Sequence, residues 1–321
     1  MGESHSGNRM SDNVLGQEWL ITNGLGGYAS STLACLNTRK YHGLLVAALT
    51  PPVRRMVLLS RLEETVRAEG WAAALDCAEY PGTVHPEGQQ LLVAFSPEPF
   101  PRWAYQSHGW TLEKSVCLLQ GRNTVLVRYT LLGGQKPVEL EIRPLFALRP
   151  MHELMFQWNA RLDPEFKSDQ HHRIPPTLKT PEVFFAHDGV FANQGYWYLN
   201  AIYRCEQDRG YSGLEDLWSP GTVRWTLQPG QTVCFACSTD PVDLSVVKHD
   251  ADKSLTCGPA AGVVVQEPAN ELDILQRAAR EFVVHSSVNP GTSESGVAVI
   301  TDYPWAAPSV RNALIAFPGL F

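Results

Sequence analysis

EWLITNGLGGYASSTLACLNTRKYHGLLV, residues 18–46, packs Gly24, Gly26 and Gly27 beside Tyr28 and then runs Arg39, Lys40, Tyr41 and His42 into Gly43. Glycines at that density mean tight turns or close backbone approach, which an ordinary core strand does not need. The Arg-Lys-Tyr-His run supplies flat donors and a stacking ring. With the apolar run 44–49 behind it, the stretch predicts strand, turn, strand, with a polar cluster at one rim.

Outward from this stretch, most of the chain repeats the strand pattern. Residues 91–95, 110–119, 123–132, 138–145, 183–191, 196–203, 222–227 and 231–238 are short runs rich in Val, Leu, Tyr, Phe and Trp. Turn formers separate them: Gly121-Arg122-Asn123, Gly133-Gly134, Asn193-Gln194-Gly195 and Pro229-Gly230. Many strands with short connections predict a mainly β chain, a large antiparallel β-sandwich rather than alternating βαβ units. Several strands are apolar on both parities, so at least one layer is covered on both faces. Near Pro268 the pattern changes. Residues 270–285 place Leu272, Leu275, Ala279, Phe282 and Val283 on one helical stripe, with Asn270 as cap and Asp273 in the first turn. A polar loop and a short strand, 297–301, are expected after it.

Bulk properties narrow the function. The chain has 321 residues, 44% hydrophobic and 18% charged, the balance of a soluble globular protein with a sizeable core. A net charge of -7 argues against a nucleic-acid footprint. No apolar run reaches membrane-span length. The polar residues 1–17 lack a secretory core and predict a disordered tail on a cytoplasmic protein. Seven widely spaced cysteines, an odd number, fit reduced thiols. Cys234 and Cys237 form a C-x-x-C, but positions three apart on a strand point to opposite faces, and no second pair completes a zinc site. Both are read as core thiols, His171 and His172 as part of an exposed loop, and no metal or cofactor is expected.

The 18–46 stretch resembles the opening of the bacterial and archaeal type of glycogen debranching enzyme, where an asparagine-glycine-rich string precedes an NTR-basic-YHGLL motif. RPLFALRPMHEL (143–154) and YRCEQDRGYSGLEDLWSPG (203–221) resemble its next two blocks. DYPWAAPSVRNALIAFPGLF (302–321) resembles the first stretch of the family's (α/α)6 barrel, matching at Tyr303, Pro304, Trp305, Arg311, Pro318, Gly319 and Leu320. The family's WGRD is altered here: Ser309 and Val310 replace its first two residues and Asn312 its acid.

The resemblance implies a galactose-mutarotase-like β-supersandwich over 18–265, then a linker helix and a truncated barrel start over 266–321. It implies α-glucan, glycogen or maltooligosaccharide, as ligand. The two carboxyl groups that glycoside hydrolysis needs come from the family's barrel. This chain alone is therefore expected to be no glucosidase, and the altered WGRD favours a degenerate stand-alone relative over a piece cut from an intact enzyme. An alternative is a structural partner of a separately encoded barrel chain that binds no sugar. An exposed apolar patch around Pro304, Trp305, Leu314, Ile315 and Phe317 would accompany it.

Arg39, Tyr41 and His42 are the candidates for sugar contact, since they combine planar donors with a stacking ring. The competing reading makes them a polar network at the sheet edge or at the seam to a barrel. Asn23 is a candidate as part of the loop that carries this cluster, and Trp218 as a sugar platform or, more safely, a core anchor. Glu215 and Asp216 are the only acidic pair inside a motif. Adjacent carboxylates on a strand point apart, so turn capping or pairing with Arg209 is preferred over catalysis. Trp103, Tyr105, Trp110, Trp158 and Trp197 give the aromatic richness of a carbohydrate-binding sandwich, or of any large β core.

Overall fold

The alternating runs resolve into two eight-stranded antiparallel sheets in the computed structural model, which describes residues 12–320 apart from 69, 161, 163–164, 167–169, 258–270 and 288–294. The first sheet is ordered Glu18–Thr22, Tyr28–Thr32, Gly43–Thr50, Val53–Ala68, Val138–Pro150, Leu214–Leu227, Val190–Ile202, with Trp71–Ala74 paired to the Val53–Ala68 strand. The second is ordered Glu165–Phe166, His171–Ile174, Val183–His187, Thr232–Ser238, Thr124–Gly133, Trp110–Leu118, Arg102–Ser107, Leu92–Ser96. One buried cluster joins them. Trp19 meets Trp103 at 5.3 Å and Phe146 meets Phe185 at 5.7 Å between ring centroids. Inside that interface Lys114 and Glu64 form a fully buried ion pair at 2.7 Å, and the Tyr129 hydroxyl donates to the same carboxylate.

The two-sided apolar strands are explained by what covers each outer face. Leu45 and Ala47 point between the sheets, whereas Val46 joins Tyr28, Tyr41, Val57, Leu145 and Leu217 on the far side of the first sheet. On the second sheet, Val125 and Val127 point inward while Leu126 packs outward under Val247 and Ala251 of the helix Leu244–Cys257. Cys237 lies between the sheets and Cys234 under this helix, on opposite faces as their spacing predicts. Burial pushes the Cys234 thiol up to about 11. The helix itself lies inside a stretch assigned to β structure, although its signals are present in the chain. Asp243 Oδ1 accepts the Ser245 N–H at 2.9 Å, a side-chain cap, and Val247 and Ala251 are four residues apart.

Several local expectations are corrected. Asn193-Gln194-Gly195 is no turn but a bulge inside the Val190–Ile202 strand. The chain turns instead at Asp188-Gly189, where it passes from the Val183–His187 strand of the second sheet to the Val190–Ile202 strand of the first, and a Cβ on Gly189 would meet the Trp225 ring at 2.6 Å. The linker helix spans Glu271–Arg280 and stops short of residue 285. Val283–Ser287 forms a hairpin with Ser295–Val299, as the β-branched Val283-Val284 pair favours, and Leu275 of the expected stripe is exposed. Asn270 and the loop 288–294 lie outside the described residues, as do residues 1–11 of the expected tail. Asp12–Leu15 forms a 3-10 turn with Val14 buried. His171 and His172 are in a strand rather than a loop. His172 is buried, stacked on Phe185 at 4.6 Å and bonded to His187 Nε2 at 2.9 Å.

Candidate functional site

The Asn-Gly turn between the strands Glu18–Thr22 and Tyr28–Thr32 owes its shape to Asn23, which is buried. Its amide donates to Arg122 O at 2.9 Å and Asn123 Oδ1 at 3.0 Å, and its Oδ1 accepts the Leu25 N–H at 3.0 Å. Gly26 has φ +90°, and a Cβ there would sit 2.7 Å from Pro52 O, so only glycine fits. The backbone of this turn receives the C-terminal part of the chain. His285 N–H donates to Gly24 O at 2.8 Å, and Glu281 Oε2 accepts the Thr22 N–H at 3.1 Å. Burial pushes the Glu281 carboxyl up, against the lowering effect of the Thr22 donors.

The Arg-Lys-Tyr-His run is held from behind by its own carbonyls. Arg149 Nη2 donates to Lys40 O at 2.7 Å and the Tyr28 hydroxyl to Tyr41 O at 2.7 Å. His42 is buried. Its Nδ1 accepts the Thr38 N–H at 3.2 Å, so a neutral ring carries its proton on Nε2, 3.4 Å from Glu18 Oε1. That last distance is longer than a good hydrogen bond. Burial holds the His42 ring below the ordinary histidine range despite Glu18. Glu18 also accepts from Arg39 Nε at 2.6 Å. Burial opposes its ionisation, but His42 and Arg39 outweigh it and hold this carboxyl at about 2.

Arg39 therefore reaches the rim, Tyr41 underlies it with 8% of its surface exposed, and His42 and Asn23 are buried beneath. At the rim Arg39 and Tyr41 meet a residue from the far end of the chain. The Arg39 guanidinium lies 5.3 Å from the Trp305 ring centroid, and the Tyr41 ring meets Trp305 edge-on at 6.4 Å. The Tyr41 hydroxyl is 3.2 Å from His152 Nδ1, and Lys40 Nζ donates to His152 O at 2.9 Å. Burial first, then the Lys40, Arg55 and Arg149 charges, lower the His152 pKa. Trp305 keeps 39% of its surface exposed. Its segment is gripped by Arg55, whose Nη1 donates to Pro304 O at 3.0 Å and Nη2 to Ala306 O, with the Tyr303 ring 5.6 Å away. Tyr28 packs edge-on against Tyr303 at 5.8 Å. The two halves of the 18–46 stretch thus share one task, seating the segments 281–287 and 303–306.

The remaining sequence candidates fall elsewhere. Trp218 is 5% exposed and packs on Phe146 in the inter-sheet core, out of reach of a ligand stacking on its face. Glu215 pairs with Arg149 and not with Arg209, whose partner is Glu206 at 2.8 Å. The turn-capping expectation holds. Glu215 Oε1 accepts the Met155 N–H at 2.7 Å, and Asp216 accepts the N–H groups of Gln157 at 3.0 Å and Asn200 at 2.9 Å. These carboxylates do not share a substrate face. Asn312 donates to Thr301 Oγ1 at 3.2 Å. Trp103, Tyr105 and Trp110 are core residues, whereas Trp158 is exposed. Arg55, Arg149 and His152 carry no distinguishing signal in the sequence, although the last two sit in the RPLFALRPMHEL block. Among the described residues no group of three or more His, Cys, Asp or Glu gathers as a metal site, and no helix is long and apolar enough to cross a membrane.

The profile of a family described as glycogen debranching enzyme N terminal matches residues 17–234. No curated protein matches the sequence. Among solved structures, a bacterial glucoamylase complexed with acarbose is 7% identical, aligning 79% of this chain with 36% of that one at a TM-score of 0.36. A putative aldose 1-epimerase from Escherichia coli K12 is 9% identical, aligning 70% of this chain with 99% of that one at 0.36. A putative kojibiose phosphorylase from human microbiome is 9% identical, aligning 78% of this chain with 34% of that one at 0.34. The chain thus spans about a third of the glucoamylase and phosphorylase chains.

Proposed function

The chain belongs to the family of glycogen debranching enzyme N-terminal domains, and from that premise we propose that it is the α-glucan-binding, bracing module of a debranching-type protein. In this reading it seats the connection into a helical α-glucan-acting unit and binds glycogen or maltooligosaccharide at the rim of Arg39, Tyr41 and Trp305. The observation that carries the reading is the part-exposed Trp305 indole, pinned between a guanidinium and a tyrosine ring. A pyranose offers an apolar C–H face to such a ring and hydroxyls to the donors around it. Arg39 and His152 are the donors and acceptors at hand. His42 and Asn23 act as positioning residues, one through Glu18 and the other through the glycine turn. Trp218 takes no part.

Calorimetric titration with maltooligosaccharides and glycogen tests this, alongside Trp305→Ala and Arg39→Ala. Saturable heat that both variants abolish supports the rim. A folded protein that gives no heat with any glucan refutes it. A second reading then stands, the structural partner of a barrel that binds no sugar. It is favoured by one feature, the exposed Val310, Leu314 and Ile315 of the Val310–Leu320 helix, at 79%, 69% and 68%. Of the other residues expected in that patch, Pro304 is buried under the Arg55 grip, and the Phe317 side chain lies outside the described residues.

A further inference from the structure

Trp158 is 83% exposed, more than any other tryptophan of the chain, yet the backbone around it is tied at several points. Its 3-10 turn, Gln157–Asn159, follows Met155, whose N–H is bound by Glu215 and whose carbonyl accepts the Asp216 N–H at 2.9 Å. Gln157 N–H is held by Asp216, and Phe156 N–H by Asn159 Oδ1 at 3.1 Å. Glu215 and Asp216 are themselves buried, and Arg149 and the Tyr203 hydroxyl lock Glu215 in turn. The Phe156 ring stacks under the indole at 5.8 Å between centroids with 12° between planes. The fold therefore commits its one motif-embedded acidic pair to presenting a flat aromatic ring to solvent. An exposed indole gains nothing for stability. A ring fixed in place before binding does lower the entropic cost of stacking a ligand on it.

We propose that the Phe156–Trp158 pair is a second α-glucan platform, built from other residues than the Arg39–Trp305 rim, taking the apolar face of a glucose unit in an α-1,4-linked chain. The proposal rests on the reading of the chain as a glucan-binding module. The size of the feature favours a sugar. Lasting protein interfaces bury about 800 Å² on each partner around an apolar centre. Here a single ring stack is bordered along the chain by the exposed amides Gln157 and Asn159, which match the hydroxyls around a pyranose. Two platforms on one module would hold a long glucan polymer more tightly than one platform alone, through the effective concentration of the second contact.

Native electrophoresis of the full chain through gels containing graded glycogen tests the platform, with Trp158→Ala, Trp305→Ala and the double variant beside the wild type. Circular dichroism serves as the folding control. Trp158→Ala should weaken apparent glycogen affinity about two- to tenfold, the contribution of one aromatic stack. The double variant should lose more than either single variant. Retardation of Trp158→Ala equal to wild type overturns the platform, whatever Trp305→Ala does. Loss in Trp158→Ala with none in Trp305→Ala keeps the platform and removes the rim. A wild type that migrates alike with and without glycogen overturns both.

Discussion

Replacing Arg55 by methionine should detach the segments 281–287 and 303–306 from the first sheet while leaving the sandwich folded. Arg55 is 5% exposed, and its guanidinium supplies two hydrogen bonds, to the carbonyls of Pro304 and Ala306, and faces the Tyr303 ring. A hydrogen bond to a charged group contributes about 1.5–3 kcal/mol and a cation–π contact about 0.5–2 kcal/mol. Desolvation of the guanidinium offsets part of this, as its lowered pKa, caused first by burial, indicates. A net loss of about 2–4 kcal/mol follows, or roughly 1.5 to 3 powers of ten in the population of the detached state. Hydrogen exchange reads this residue by residue. The amides of Thr22, His285 and Ala306, bonded to Glu281, Gly24 and Asp302, should exchange faster by that factor. The Leu126 amide, in the strand paired with Thr232–Ser238, should not change. Arg54→Met, at an exposed neighbour, is the control. Unchanged protection of Ala306 and His285 in Arg55→Met would refute the claim that this arginine seats the segment.

Glu215→Gln should destabilise the whole domain by about 3–5 kcal/mol, because it leaves the buried Arg149 charge unpaired. Urea unfolding measures it, and a loss below about 1 kcal/mol, the range of an exposed ion pair, would contradict the pairing. Gly26→Ala should cost about 1–3 kcal/mol, from φ +90° and the clash with Pro52, seen as a lower midpoint of thermal unfolding. The stacked pair His172–His187 is held neutral by burial, at about 3 and about 4. Both folded values lie below the unfolded value of about 6.5, so their contribution is complete above that pH and is lost as pH falls through it toward the folded values. The loss is about 1.4 kcal/mol per pH unit for each ring. Urea midpoints between about pH 7 and about pH 5 should fall less steeply in His172→Leu/His187→Leu, and an equal slope in the variant would remove this pair as the cause.

Much of this architecture is legible in the chain itself. The alternating runs imply antiparallel strands, and apolar residues on both parities foretell covered outer faces, as Leu126 between Val125 and Val127 illustrates. The 18–46 stretch announces a polar rim beside a glycine turn. What it cannot announce is the partner of that rim. Trp305 meets Arg39 only through the packing of a segment drawn from the other end of the chain. Glu215 likewise finds Arg149 through sheet register, while the nearer Arg209 turns to Glu206. His172 looks solvent-bound beside charged and polar neighbours, and only strand pairing with Val183–His187 turns it inward. Phe282 and Val283 extend the helical stripe on paper, whereas pairing with Ser295–Val299 claims Val283 and Val284 for a hairpin and ends the helix earlier.

The most direct test follows the indole N–H signals of the nine tryptophans by nitrogen-15 NMR while maltooligosaccharide is added. The indole of Trp305 should shift saturably, its peak being assigned by its disappearance in Trp305→Phe. The buried Trp103, Trp110, Trp218 and Trp225 should hold their positions. A Trp305 signal that stays fixed at saturating oligosaccharide, in a protein whose other indoles show it folded, would contradict α-glucan binding at the Arg39–Tyr41–Trp305 rim.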